Sequence, residues 1–211
     1  MSALPKVQRR RGRPRKEDAC YGETRELLLK AGVSRLTEKG FSATGIDEIL
    51  KSVDVPKGSF YHYFKSKEAY GLALIDQYAR YFDEKLRTIL RNQTRTPLQR
   101  LRDFVDDAES GMQKHDFKRG CLVGNLGQEM GALPVSFRAQ LIGAFHNWEA
   151  QISACIKAGQ EAGEIRAEID PAQMAEYFWI GWEGAVLRAK LEQSHRPLRV
   201  FSENFFASIQ R

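Results

Sequence analysis

Cysteine and histidine are scarce in this chain of 211 residues, with three of the first and four of the second. Cys20, Cys121 and Cys155 are an odd set at wide spacing, and His62, His115, His146 and His195 are scattered as thinly. Neither a metal-ligand spacing nor a disulfide framework can be read from them, so no metal or cofactor is expected and a reducing cytoplasm is the natural home. Long apolar runs are missing too. None approaches the roughly 20 residues that cross a bilayer, and no apolar stretch follows the N-terminal charges as a secretory signal would require. Strand-like alternation is absent, as is a glycine loop after a strand that could cradle phosphate. What is present is 42% apolar content, that of a globular protein of one or two domains, set almost entirely in helical periods.

Acid is lacking in one place. The first sixteen residues hold Lys6, Arg9, Arg10, Arg11, Arg13, Arg15 and Lys16 without a single carboxylate; with the whole chain at +6, the rest nets to −1. Basicity concentrated in one arm is an arrangement for binding a polyanion. Within it Arg11-Gly12-Arg13-Pro14 resembles the core of an AT-hook, whose arginines reach the floor of a narrow minor groove. The plainer alternative is a tail that meets phosphates without selecting sequence.

After this arm, taken as residues 1–19 and expected to be disordered, a head is predicted over 20–66 and a body over 67–211. Leu28, Gly32 and Leu36 form one stripe from Glu23 to Lys39, and Gly40 follows where a helix cap belongs. Ile46, Ile49, Leu50 and Val53 make the buried face of a short second helix, with Thr44 and Asp47 spaced as a capping box. Beyond the turn Phe60 and Phe64 point inward, leaving Lys57, Gly58, Tyr61 and His62 on the outer face with Ser59 among them. That is a helix-turn-helix whose third helix enters DNA; an aromatic run serving only as core is the competing reading.

A fourth helix starts at Ser66 and runs toward Leu90, where the polar stretch Arg91 to Pro97 breaks the pattern. Further helices are predicted from Pro97 to His115, from near Arg119 to Pro134, along a seam of Leu141, Phe145, Trp148, Ile152, Cys155 and Gly159, and from Pro171 to about Glu192. The last is apolar on two sides, Met174, Phe178, Gly181, Trp182 and Ala185 on one and Tyr177, Ile180, Gly184, Leu187 and Leu191 on the other. It must be buried on both, either inside a monomeric core or by a second copy across a two-fold axis. The interface expected for such a homodimer draws on Leu141, Phe145, Ile152, Phe178, Gly181, Trp182 and Ala185.

With the segment Val-Pro-Lys-Gly-Ser-Phe-Tyr-His-Tyr-Phe at 55–64 and an all-helical body behind it, the chain resembles the TetR family of bacterial transcriptional repressors. The resemblance implies an all-α fold, a three-helix head followed by a helical-bundle ligand-binding and dimerisation domain. It implies DNA contacts from Thr44, Lys57, Gly58, Ser59, Tyr61, His62 and Lys67, a double-stranded, pseudo-palindromic operator and a small-molecule inducer as partners, and no enzymatic activity. The stretches 119–131 and 178–190 are similar to the acrylate-responsive members, and Gly120-Cys121-Leu122 more distantly resembles the N-ethylmaleimide-sensing ones, which implies electrophile sensing at Cys121.

Gly120, Gly124, Gly127 and Gly131 fall on one side of a helical wheel, leaving room for a close neighbour or a ligand. Lys118, Arg119 and a helix N-terminus should favour the Cys121 thiolate, the form that adds to soft electrophiles. Asn125 and Glu129 follow at helical steps, and Trp148, Tyr177, Trp179 and Trp182 are candidate pocket walls, with Arg188 or Lys190 as candidate cations for a carboxylate. The bland reading makes Cys121 a small apolar side chain. A cysteine enzyme is disfavoured because no histidine has a motif tying it to Cys121; an architectural DNA-binding protein would leave the body unexplained.

Overall fold

The computed structural model describes residues 16–211, with side chains from residue 22 onward; Arg11 and Arg13 lie outside the described residues. Within them the regular elements are α1 (Lys16–Lys39), α2 (Ile46–Ser52), α3 (Lys57–Tyr63), α4 (Lys67–Leu90), α5 (Pro97–Gln113), α6 (Leu122–Gln128), α7 (Ser136–Glu161), α8 (Pro171–Glu192) and α9 (Arg196–Ile209). An isolated bridge of Ile165 with Gln210 ties the α7–α8 connection to the C-terminus.

Local chemistry sets the boundaries. Ser66 Oγ accepts from Ala69 N to start α4, Thr96 and Gln99 close a capping box ahead of Pro97, and Asp170 accepts from Ala172 N and Gln173 N ahead of Pro171. Helix α1 stops at Gly40, whose φ of 84° suits a residue without a side chain. Two expectations need correcting here. Because α1 already begins at Lys16, residues 16–19 belong to a helix and not to a disordered arm. The cap of α2 is the backbone at Gly45, while Thr44 is buried and donates its hydroxyl to Gly40 O at 2.6 Å.

Helices α1 to α3 form the head, and α4 runs unbroken from it into the body. Tyr70 on α4 donates its hydroxyl to Leu28 O at 2.5 Å, and Phe60, Phe64 and Tyr70 pack as one aromatic cluster. Further along, Phe82 meets Trp148 of α7 with ring centres 4.6 Å apart, and Trp148 lies 5.0 Å from Trp179 of α8, with Phe104 of α5 beside them. The α7 seam is thus interior: Leu141, Trp148, Ile152 and Cys155 are buried against their own chain, and Phe145 is half-buried.

The two faces of α8 exchange the roles expected of them. Phe178, Trp182 and Ala185 are buried, Phe178 against Phe205 of α9 at 4.8 Å, and a Cβ on Gly181 would collide with the Phe201 ring. Phe178 and Trp182, with Leu141 and Ile152, are therefore packed inside the chain, while Gly181 and Ala185 also line an open groove between α8 and α9 with Tyr177, Gly184 and Val200. The other face is open: Ile180 and Leu191 are 70% and 75% exposed, beside exposed Tyr177 and Leu187, with Val200 of α9 also exposed.

At the seat of α4 against the body, a Cβ on Gly71 would press into the rings of Phe137 and Phe41. Gly71→Ala should cost about 1–3 kcal/mol by overpacking, read as a lower urea midpoint at unchanged slope. An unaltered midpoint would show that these rings yield freely.

Candidate DNA-reading helix and buried pocket

The turn between α2 and α3 is tight. Val55 N bonds to Leu50 O at 3.1 Å and Asp54 takes a φ of 53°, so α3 leaves α2 at the angle that presents its outer side. Phe60 and Phe64 anchor α3 inward, and Lys57, Gly58, Tyr61 and His62 are exposed on the far side with Ser59 half-buried. Lys57 Nζ meets the Asp47 carboxylate of α2 at 3.0 Å. Thr44 and Lys67, expected at the DNA, are turned inward. Lys67 donates to Phe41 O at 2.9 Å with its ammonium 4.5 Å from the Phe41 ring centre.

That inward turn belongs to a joint between head and body. A helix leaves its last carbonyls without partners, and here the body supplies them. Asn125 Nδ2 donates to Leu36 O at 3.2 Å and Thr37 O at 2.9 Å; Gly120 N and Lys190 Nζ each reach Thr37 O at 3.1 Å. One residue past Gly40, the Glu129 carboxylate accepts from Phe41 N at 2.9 Å and Ser42 N at 2.8 Å. Phe41 then stands edge-on to Phe137 at 5.0 Å. Asn125, Glu129 and Lys190, expected as ligand-binding groups, hold the head and line an open hollow between α1, α6 and α8 that is separate from the one at Cys121. Arg188 is engaged outside with Glu192.

Helix α6 is shorter than expected. It starts after Cys121, which is its N-cap, so Gly120 and Gly131 fall outside and the four-glycine stripe is interrupted. What the glycine at 124 provides is space for one side chain: a Cβ there would collide with the Glu183 carboxyl of α8.

Beside Cys121 lies a cavity of about 230 Å³ walled by Tyr78 and Phe82 of α4, Met112 of α5, and Trp179, Trp182 and Val186 of α8. Its other lining includes Lys85, His115 and Arg119. Ligand pockets typically measure roughly 300–1,000 Å³, so this space lies just below that range and suits a small molecule. Trp148 does not line it; that ring backs Trp179 and faces a groove between α4 and α7.

The thiol departs from expectation. Burial pushes Cys121 well above its ordinary range and the neighbouring Glu183 charge adds to the rise, outweighing the Gly124 N–H that donates to Sγ at 3.5 Å and the Tyr78 hydroxyl. The resting form is a thiol, not a thiolate. Lys118 and Arg119, close in sequence, are occupied elsewhere, with Asp116 at 3.4 Å and His115 at 3.4 Å. Glu183 is itself raised to about 7 by burial, and its Oε1 has no partner. Neither Glu183 nor Tyr78 was singled out from sequence. The available signal was an acid in the stripe Trp179, Trp182, Glu183, Val186, whose steps of 3, 1 and 3 are otherwise all apolar.

Comparison with known proteins fits this geometry. Residues 28–70 match the description "Bacterial regulatory proteins, tetR family", and residues 97–205 match "Tetracyclin repressor-like, C-terminal domain". The chain is 53% identical over 197 residues to the transcriptional regulator AcuR of Cereibacter sphaeroides, covering 93% of this chain and 89% of that protein. A crystal structure of a regulatory protein TetR from Rhodobacter sphaeroides superposes with a TM-score of 0.86 at 52% identity, covering 87% of this chain and 97% of that one. Reduced NemR of Escherichia coli superposes at 0.79 with 30% identity, covering 88% and 97%. The chain belongs to the TetR family of bacterial regulatory proteins, and is a regulator and not an enzyme.

Proposed function

We propose that the protein is a homodimeric repressor that holds a pseudo-palindromic operator through two copies of α3 and lets go when a small α,β-unsaturated carbonyl compound, acrylate-like in size, is captured at Cys121. The observation that carries this reading is the placement of α6. Gly120 and Cys121, at its start, border the cavity, and Gly124 makes room for Glu183, while Gly120, Asn125 and Glu129 hold the end of α1 and the turn into α2. An occupant that displaces the start of α6 must disturb the bonds that fix the head. The relatives support the regulatory part: AcuR is named a transcriptional regulator and NemR a transcriptional repressor.

Lys57, Gly58, Tyr61 and His62 supply the donors and flat rings that face base edges and phosphates. The N-terminal arm, by its charge, adds a salt-dependent hold on flanking duplex. The dimer forms through the open face of α8, where Tyr177, Ile180, Leu187 and Leu191 are exposed apolar side chains and Tyr177 shares a groove with Val200 of α9. A second reading, reversible binding of a small apolar ligand with Cys121 as a wall, draws on the protonated state of the thiol.

Three measurements check this. Lys57→Ala combined with Tyr61→Ala should erase the operator footprint while the protein still sediments as a dimer; a retained footprint would place recognition elsewhere. Ile180→Asp should dissociate the dimer at micromolar concentration, and a dimer that survives it would mean that copies meet through another face. Cys121→Ser should stay on operator DNA at an acrylate-like concentration that strips the wild type, whereas equal release of both would favour reversible capture.

A further inference from the structure

We propose that Glu183 is the acid–base partner of Cys121, taking the thiol proton as sulfur adds to an unsaturated carbonyl compound and returning it to the carbon next to the carbonyl. This rests on the electrophile reading above and supplies what that reading lacks. A thiol that burial keeps protonated offers little nucleophile at neutral pH, since the thiolate is the attacking form. A base in the same cavity removes the difficulty by accepting the proton during attack.

The geometry provides one. Glu183 projects from α8 into the notch left by Gly124, beside the sulfur, and its Oε1 is buried without a partner. Buried polar atoms are seldom left unpaired without a reason. Other groups are less suited. From α4, the Tyr78 hydroxyl donates toward the sulfur and Lys85 is paired with Asp107 at 2.5 Å. Ahead of α6, His115 is solvent-exposed and sits against Arg119, which cannot accept a proton. Across Trp179, His146 and Glu149 of α7 and Glu176 of α8 share a second, outer hollow with Glu183 and do not line the cavity of Cys121.

The step balances without an outside reagent. The proton passes from Sγ to a Glu183 oxygen, a sulfur lone pair forms the bond to the β-carbon, and the alkene pair moves onto the carbonyl as an enolate. The enolate then takes the proton from Glu183 at its α-carbon. Sulfur and hydrogen have added across the double bond and Glu183 is again a carboxylate.

The test is the rate at which acrylamide, a neutral probe, adds to Cys121 of the full-length dimer, followed by intact mass between pH 5.5 and 9.5. Wild type should accelerate with pH up to the Glu183 titration near 7 and then level off, because only the carboxylate form accepts the proton. Glu183→Gln should react about a hundredfold or more slowly at pH 7.5, the lower end of what a general base contributes, with a rate that climbs about tenfold per pH unit throughout. The opposite sign overturns the proposal: if Glu183 acts only through its charge, removing it eases thiol ionisation and Glu183→Gln reacts faster. Glu183→Asp keeps a carboxylate and should keep the levelling profile; a profile that climbs throughout in this variant also overturns it. Absence of any Cys121 adduct in wild type would sink the covalent reading and this inference together, whereas an adduct formed equally fast by Glu183→Gln would sink this inference alone.

Discussion

The carbonyl of Thr37 at the end of α1 accepts from three donors of the body, Gly120 N, Asn125 Nδ2 and Lys190 Nζ, and the rest of the molecule's behaviour follows from that convergence. A helix terminus normally turns to water or to its own cap for partners. Here its partners belong to another layer, so the head cannot reorient without unmaking bonds in a half-buried place, where an unpaired polar group costs about 1–3 kcal/mol. Glu129 adds two backbone amides to the same account, and the Phe41–Phe137 contact fills the space between. The head is thereby part of the body's packing and not a bead on a tether.

Much of this fold could be read from residues near one another in sequence. Ser66, Pro97, Pro171 and Gly40 mark helix ends because caps act within one turn, and Phe60 and Phe64 declare the inner side of α3 by their spacing alone. The two apolar faces of α8 were equally plain, but which of them faces outward depends on α9, whose Phe201 fills the gap at Gly181. No local pattern contains that choice.

The pocket was the hardest part to foresee because its chemistry is assembled from separate elements. Lys118 and Arg119 precede Cys121 in the chain yet turn to Asp116 and His115, while the groups that do govern the sulfur come from α4 and α8. A cation two or three residues away looks like a stabiliser of thiolate until the backbone bends. An acid some sixty residues downstream reverses the sign. The same limit explains Asn125 and Glu129, whose helical steps from Cys121 suggest a shared wall but whose side chains leave α6 in the direction of the head.

Helix α4 carries one last implication. It is 24 residues without a break, a rod of about 36 Å at 1.5 Å per residue, clasped by the head at Tyr70 and by the tryptophan core near Phe82. Successive major-groove half-sites are about 34–36 Å apart. About 18 Å of the rod separates the two clasps, and it acts as a lever: a tilt of about 5° at Phe82 swings the Tyr70 end by roughly 1.5 Å. A sub-ångström adjustment in the core is thus felt at the head as a larger displacement.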